Sequence, residues 1–257
     1  AVVIMTAIVG YLTGREVPPA PPMGRCDPVD YHFIRASIKL VKGTMHVPRL
    51  YLAILSISFF WTIGSILFIQ FPPLVKNVLT ADKAVASLFL AIFSIGIAIG
   101  SVAINRLLKG DVSAKYAPAS VIGMGVCLMG FHFVCANWAG ATDGQLLSLA
   151  DFLKHPDAWE LTGALLGVAT FGGMFVVPLY AFLTTTVEKC EAARTIAANN
   201  IVNSGAMVIG SLVAVGLTML GLAPVNQLLL AAALCPISAW LAWRLHSACR
   251  DGQCIVH

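Results

Sequence analysis

The stretch Leu50-Tyr51-Leu52-Ala53-Ile54-Leu55-Ser56-Ile57-Ser58-Phe59-Phe60-Trp61-Thr62-Ile63-Gly64-Ser65-Ile66-Leu67-Phe68-Ile69-Gln70-Phe71 contains no charged side chain. At about 1.5 Å per residue, a helix of that length crosses a hydrocarbon core of about 30 Å. Its apolar run is continuous, whereas a membrane strand alternates between lipid-facing and lumen-facing residues. Five further segments read the same way: Val85–Leu107, Ala117–Ala136, Trp159–Thr184, Ile196–Leu220 and Pro224–Trp243. The opening run Ala1–Leu12 is too short to span and reads as the end of a truncated transmembrane helix. The expected fold is an all-α membrane protein. Residues 1–12 would be that helix end, 13–48 a cytoplasmic central loop, 49–243 a six-helix bundle and 244–257 a cytoplasmic tail.

Composition agrees. Of 257 residues, 58% are hydrophobic and 11% charged, and the mean hydropathy is +0.86. A soluble domain carries about 25% charged residues, so this chain cannot coat itself for water. Its net charge of +4 forms no basic stripe of the kind that binds nucleic acid. The seven cysteines are scattered, with Cys127, Cys135 and Cys235 inside apolar runs and Cys190 near a helix end, and no disulfide framework is expected.

Orientation follows from the basic residues. Arg15, Arg25, Arg35, Lys39, Lys42 and Arg49 precede the first full span. Arg106, Lys109 and Lys115 follow the second, Lys189 and Arg194 the fourth, and Arg244 and Arg250 the sixth. Thirteen of the 16 basic residues thus fall on one side, against Lys76, Lys83 and Lys154 on the other. Both ends are expected in the cytoplasm.

The long loop Thr13–Pro48 opens on Pro18-Pro19-Ala20-Pro21-Pro22, a stiff extended spacer. Within Tyr31–Lys42, Phe33, Ile34, Ile38 and Val41 share one helical face, and Arg35, Lys39 and Lys42 the other. Two readings stay open there: a basic amphipathic helix on an anionic leaflet, or a linker helix packed under the bundle. On the opposite side, Asn137–Asp157 is net acidic, with Asp143, Asp151 and Asp157 against Lys154, and reads as an external loop with a short surface helix.

No span carries Asp, Glu, Lys or Arg near its middle, so this stretch is not expected to carry protons; either coupling groups lie in another portion, or transport runs without an ion gradient. Uncharged polar groups are present instead. Asn199, Asn200, Asn203, Ser204 and Ser211 share one broad helical sector, which must face other helices or a wet cavity. The first and fourth spans both contain glycines and end near proline. One runs from Ser58 through Trp61 and Gly64 to Gln70 and Pro72-Pro73; the other holds Gly163, Gly167, Thr170, Gly172, Gly173, Pro178 and Tyr180. Matching Gly/Pro-broken helices in two inverted triplets point to a transport pathway. Alternatively, Gly163-x-x-x-Gly167 and Gly96-x-x-x-Gly100 serve close helix packing. The candidate path residues are Trp61, Gln70, Thr170, Tyr180, Asn199, Asn200 and Asn203. A second group, Gly100, Asn105, Arg106, Lys109 and Gly110, forms a tight basic turn suited to a cytoplasmic latch or to simple anchoring. The tail His246, Cys249, Cys254 and His257 superficially resembles a zinc site, but its spacing is atypical and reduced cytosolic thiols explain the cysteines equally well. No metal or cofactor is expected, and no phosphate loop, nucleophile elbow or acid/base pair argues for an enzyme.

Six spans behind a long basic loop, with a Gly…Asn-Arg…Lys-Gly turn between the second and third, resemble the C-terminal half of a major facilitator superfamily transporter. Asn105 stands where that turn motif carries Asp, which weakens a charge-relay gate there. Within the superfamily the chain is most similar to the bacterial lysophospholipid transporter branch, also found fused to an acyltransferase and acyl–acyl carrier protein synthetase. Four stretches carry this resemblance: Leu52–Trp61 with Gln70-Phe71-Pro72, Asn105–Gly110, Gly172–Ala181 and Ala197–Asn200. It implies a 3+3 inverted repeat in a twelve-helix parent, whose first and fourth helices of this half line the cavity. It also implies movement of lysophospholipid across the bacterial inner membrane by alternating access. The partners would be membrane lipids, an N-terminal six-helix half or a second copy, and a fused or associated acyltransferase. The rival readings are a facilitator of another cargo, such as a hydrophobic drug or small metabolite, and a non-transporting membrane module of an acyltransferase fusion.

Overall fold

The computed structural model describes residues 2–18, 31–140 and 145–249. The proline spacer beyond Pro18, Arg25, Asp143 and the tail beyond Cys249 lie outside the described residues, and with them the zinc reading of the tail. The described helices are α1 (Val2–Arg15), α2 (Phe33–Met45), α3 (Pro48–Asn77), α4 (Lys83–Leu107), α5 (Ala117–Ala136), α6 (Leu149–Lys154), α7 (Ala158–Thr185), α8 (Lys189–Met219) and α9 (Pro224–Ala248). Six of them, α3, α4, α5, α7, α8 and α9, are long and apolar enough to cross a membrane. The chain is a multi-pass, all-α membrane protein. Among the described residues, α1 touches no other helix.

Local chemistry sets the element ends. Pro48 and Pro224 occupy the first turns of α3 and α9, where their missing N–H costs no ladder bond. Asp82 caps α4 through its carboxylate, which accepts from the Lys83 N–H. Ser148 caps α6 by accepting from the Asp151 N–H at 3.2 Å, and its hydroxyl donates to the Asp151 carboxylate at 2.7 Å. That bond, with Lys154 beside it, holds the Asp151 carboxyl below its usual range. The turn after α4 places Lys109 at φ 52° and Gly110 at φ 86°, the left-handed region where glycine is free of strain. α3 and α7 are continuous despite Pro72, Pro73 and Pro178, so the expected broken helices are corrected to unbroken ones.

α3 and α7 form the centre, each touching four other spans. α4 packs chiefly on α7 and α8 on α3; α5 and α9 pack on each other and behind α7 and α3 respectively; α4 and α8 do not meet. Exchanging α3 with α7, α4 with α8 and α5 with α9 reproduces this pattern, apart from a slight contact between α8 and α9. The short helices follow the same exchange: α2 touches α3 and α8, and α6 touches α7 and α4.

In lipid, helices gain little from burying apolar surface against one another, and close packing of small residues holds them. The α4–α7 crossing illustrates this. A Cβ added at Gly96 would lie 2.5 Å from Ala169 Cβ, and one at Gly173 would lie 2.6 Å from the Ile97 carbonyl oxygen. Gly100, expected in a cytoplasmic latch, sits in this crossing against the Thr170 backbone. On the face opposite the basic connections, Leu147 N–H donates to the Thr80 carbonyl at 2.7 Å, and Asp82 N–H donates to the Leu147 carbonyl at 2.9 Å. These bonds tie the α3–α4 turn to the segment before α6.

Candidate functional site: a polar cluster among three spans

Three of the sequence candidates meet at the junction of α3, α7 and α8. Trp61 Nε1–H donates to the Tyr180 hydroxyl oxygen at 2.9 Å, and Asn203 Nδ2–H donates to the same oxygen at 3.3 Å. Ser58 completes the cluster by donating its hydroxyl to Asn203 Oδ1 at 2.7 Å. Ser58 and Asn203 are buried, while Trp61 and Tyr180 are half-buried. The phenol oxygen accepts two bonds, yet its own O–H has no acceptor among the described residues. Donors feeding its lone pairs polarise that O–H and strengthen it toward a further acceptor.

Packing fixes the aromatic members. The buried Phe60 ring meets Trp61 edge-on at 5.7 Å and lies 6.2 Å from Phe175 of α7. A Cβ at Gly172 would stand 3.0 Å from the Phe60 ring, so glycine there lets Phe60 seat between the two helices. Tyr180 follows Pro178, whose ring nitrogen leaves α7 one ladder bond short in the preceding turn.

α8 continues the polar surface. Asn199 is fully buried; its Nδ2–H donates weakly to Asn200 Oδ1 at 3.4 Å, and its own Oδ1 has no partner among the described residues. Asn200 and Ser204 are exposed. The sector read from sequence therefore divides: Asn199 and Asn203 are buried in the bundle, Asn203 against Ser58 of α3, and Asn200 and Ser204 face outward in mid-helix. Hydrocarbon offers an amide no hydrogen bond, so this outward face calls for water, a ligand or another polypeptide.

Compared with known protein families, with curated proteins and with solved structures, the chain matches none.

The remaining candidates lie elsewhere. Gln70 is buried and donates through Nε2 to Gln227 Oε1 of α9, while Gln227 Nε2 donates to Thr218 Oγ1 at 2.8 Å. This second polar cluster bonds α3 to α9 and α8, beyond the reach of the first. Thr170 contributes its backbone to the α4–α7 crossing. Asn105 and Arg106 lie in the last turn of α4, and Lys109 and Gly110 in the turn after it.

Ser58, Gln227 and His132 were not singled out from sequence. His132, inside α5, is buried with Nδ1 2.9 Å from the Val225 carbonyl oxygen. A carbonyl can only accept, so Nδ1 carries the proton and pins α5 to the first turn of α9. The available signal was a lone polar side chain in an apolar run.

Proposed function

We propose that the chain is a membrane transporter module of major facilitator type, carrying an amphiphile with a polar headgroup, a lysophospholipid of the bacterial inner membrane, by alternating access. The observation that carries this reading is the Ser58–Asn203–Tyr180–Trp61 cluster, with its unspent phenolic donor, beside the outward amide of Asn200. Tyr180 O–H and Asn200 Nδ2–H suit the phosphate of such a headgroup, and the half-buried Trp61 suits its glycerol backbone. No carboxylate stands in mid-span to repel the phosphate.

The exchange pattern of the helices supports the architectural part. Three consecutive spans reverse direction between the start of one triplet and the start of the next. Two triplets with the same neighbours are then related by inversion, as in the halves of these transporters. Alternating access needs a second six-helix body over the open side of α3 and α7. α4 and α8, the least buried of the six spans, would flank that contact.

The test is reconstitution of the full-length protein in vesicles with labelled lysophosphatidylethanolamine on one side. Transfer above the protein-free rate is expected, and a folded sample that transfers none would contradict the reading. A neutral hydrophobic drug is the second reading, favoured by the absence of mid-span charges. Competition by headgroup analogues separates the two, because only the lipid cargo would be displaced by them.

A further inference from the structure

α2 has three faces where its sequence pattern predicts two. Ala36, Ser37, Leu40 and Thr44, buried or half-buried, form the side that packs on α8 and the start of α3. About a third of a turn round, Ile34 and Ile38 stay 61% and 51% exposed. On the third side Lys39 and Lys42 are exposed and make no ion pair among the described residues. α2 packs on the bundle, as a linker helix would, and still leaves an apolar stripe beside a basic one.

Between α2, the first turns of α8 and the start of α3 opens a groove of about 760 Å³. Phe33, Leu40 and Val47 give it an apolar wall, and Lys39, Arg194 and Glu191 are its charged lining residues. We infer that this groove holds one anionic glycerophospholipid from the leaflet on the side of the basic connections. Its phosphate rests on Lys39 and Arg194, and its first acyl methylenes run along Phe33, Leu40 and Val47. A small soluble anion would have no use for the apolar wall, and a neutral amphiphile none for two cations. The two cations of the lining outnumber its one carboxylate, which favours a net anionic lipid over a zwitterionic one. Glu191 is placed to accept hydrogen bonds from headgroup hydroxyls. The exposed Ile34–Ile38 stripe sets α2 at the depth where apolar and phosphate layers meet. The bound lipid is a structural ligand at the ends of the spans, independent of any cargo carried between α3, α7 and α8.

The test is native mass spectrometry of the full-length protein, released from detergent containing equal amounts of phosphatidylglycerol, phosphatidylethanolamine and phosphatidylcholine. Phosphatidylglycerol is expected to be retained in preference. A basic residue near an anionic lipid contributes about fivefold, so Lys39→Gln with Arg194→Gln weakens retention about 30-fold. Lys39→Arg with Arg194→Lys keeps it, and Lys115→Gln on another connection leaves it unchanged, which separates loss of the site from loss of fold. Equal retention by the glutamine variant, equal retention of the three lipids, or displacement by millimolar inorganic phosphate would each overturn the inference.

Discussion

Gly100→Ala is expected to unfold the protein or to lower its thermal midpoint in detergent by an amount equivalent to at least about 3 kcal/mol, the upper end for an overpacked core. The added Cβ would overlap the Thr170 carbonyl oxygen and stand 2.9 Å from its carbonyl carbon and 3.0 Å from the Met174 nitrogen. All three atoms are backbone, so no rotamer change relieves the clash, and α4 and α7 must move apart along their crossing. Separation would also loosen the contacts at Gly96 and Gly173, and lipid supplies no hydrophobic pull to restore them. Gly163→Ala on α7 is the paired control. Nothing lies within 4 Å of a Cβ there, so the gain in helix propensity should raise the midpoint slightly, by about 0.5–1 kcal/mol. Size-exclusion thermal melts of both variants decide the matter. An unchanged midpoint for Gly100→Ala would mean that α4 and α7 do not cross there.

Tyr180→Phe is expected to cut lysophosphatidylethanolamine transfer about tenfold or more while the folded yield stays near wild type. The variant removes one oxygen, the acceptor for both Trp61 Nε1–H and Asn203 Nδ2–H. On the proposed wet path water reaches the half-buried Trp61, fills part of the gap and holds the stability cost to about 1 kcal/mol. If the chain carries the proposed cargo, transfer suffers more, because the variant also removes the donor that reading offers to the headgroup and frees the Trp61 indole. Losing about 1.4 kcal/mol of transition-state stabilisation is a tenfold change in rate. The control is the double variant Gln70→Leu with Gln227→Leu. It removes a buried pair whole, leaves no orphaned partner between the two, and should leave transfer unchanged. If both variants lowered transfer in proportion to their loss of stability, the Tyr180 cluster would be a structural brace and no more.

The spans were legible because length and unbroken apolar character decide them without reference to partners. Their ends were less so. α8 begins at Lys189, well before Ile196, because its first two turns are polar and helical by continuity rather than by hydropathy. The site was legible as residue types but not as an arrangement. Trp61 and Tyr180 are 119 positions apart, and only the α3–α7 approach brings the indole to the phenol. Successive residues on a helix turn about 100°, so Asn199 and Asn200 point one inward and one outward. Nothing in the sequence fixes the rotation of α8 that chooses between them. The same uncertainty of rotation placed Gln70 with the path, whereas it faces Gln227 on α9. Gly100 shows the reverse case: its spacing from Gly96 was visible, and the crossing it serves is set by α7.

Thiol labelling in membranes tests most directly whether α8 borders a wet path. In a cysteine-free background, Asn200→Cys should react with a membrane-impermeant maleimide, and lysophosphatidylethanolamine should slow the reaction. Val126→Cys should not react: Val126 is 66% exposed on α5 among apolar neighbours such as Ile122, and a thiol in hydrocarbon forms no thiolate. An Asn200→Cys as inert as Val126→Cys, from either side of the membrane, would place that face of α8 in lipid or against another polypeptide, with no wet path along it, and contradict the transport account.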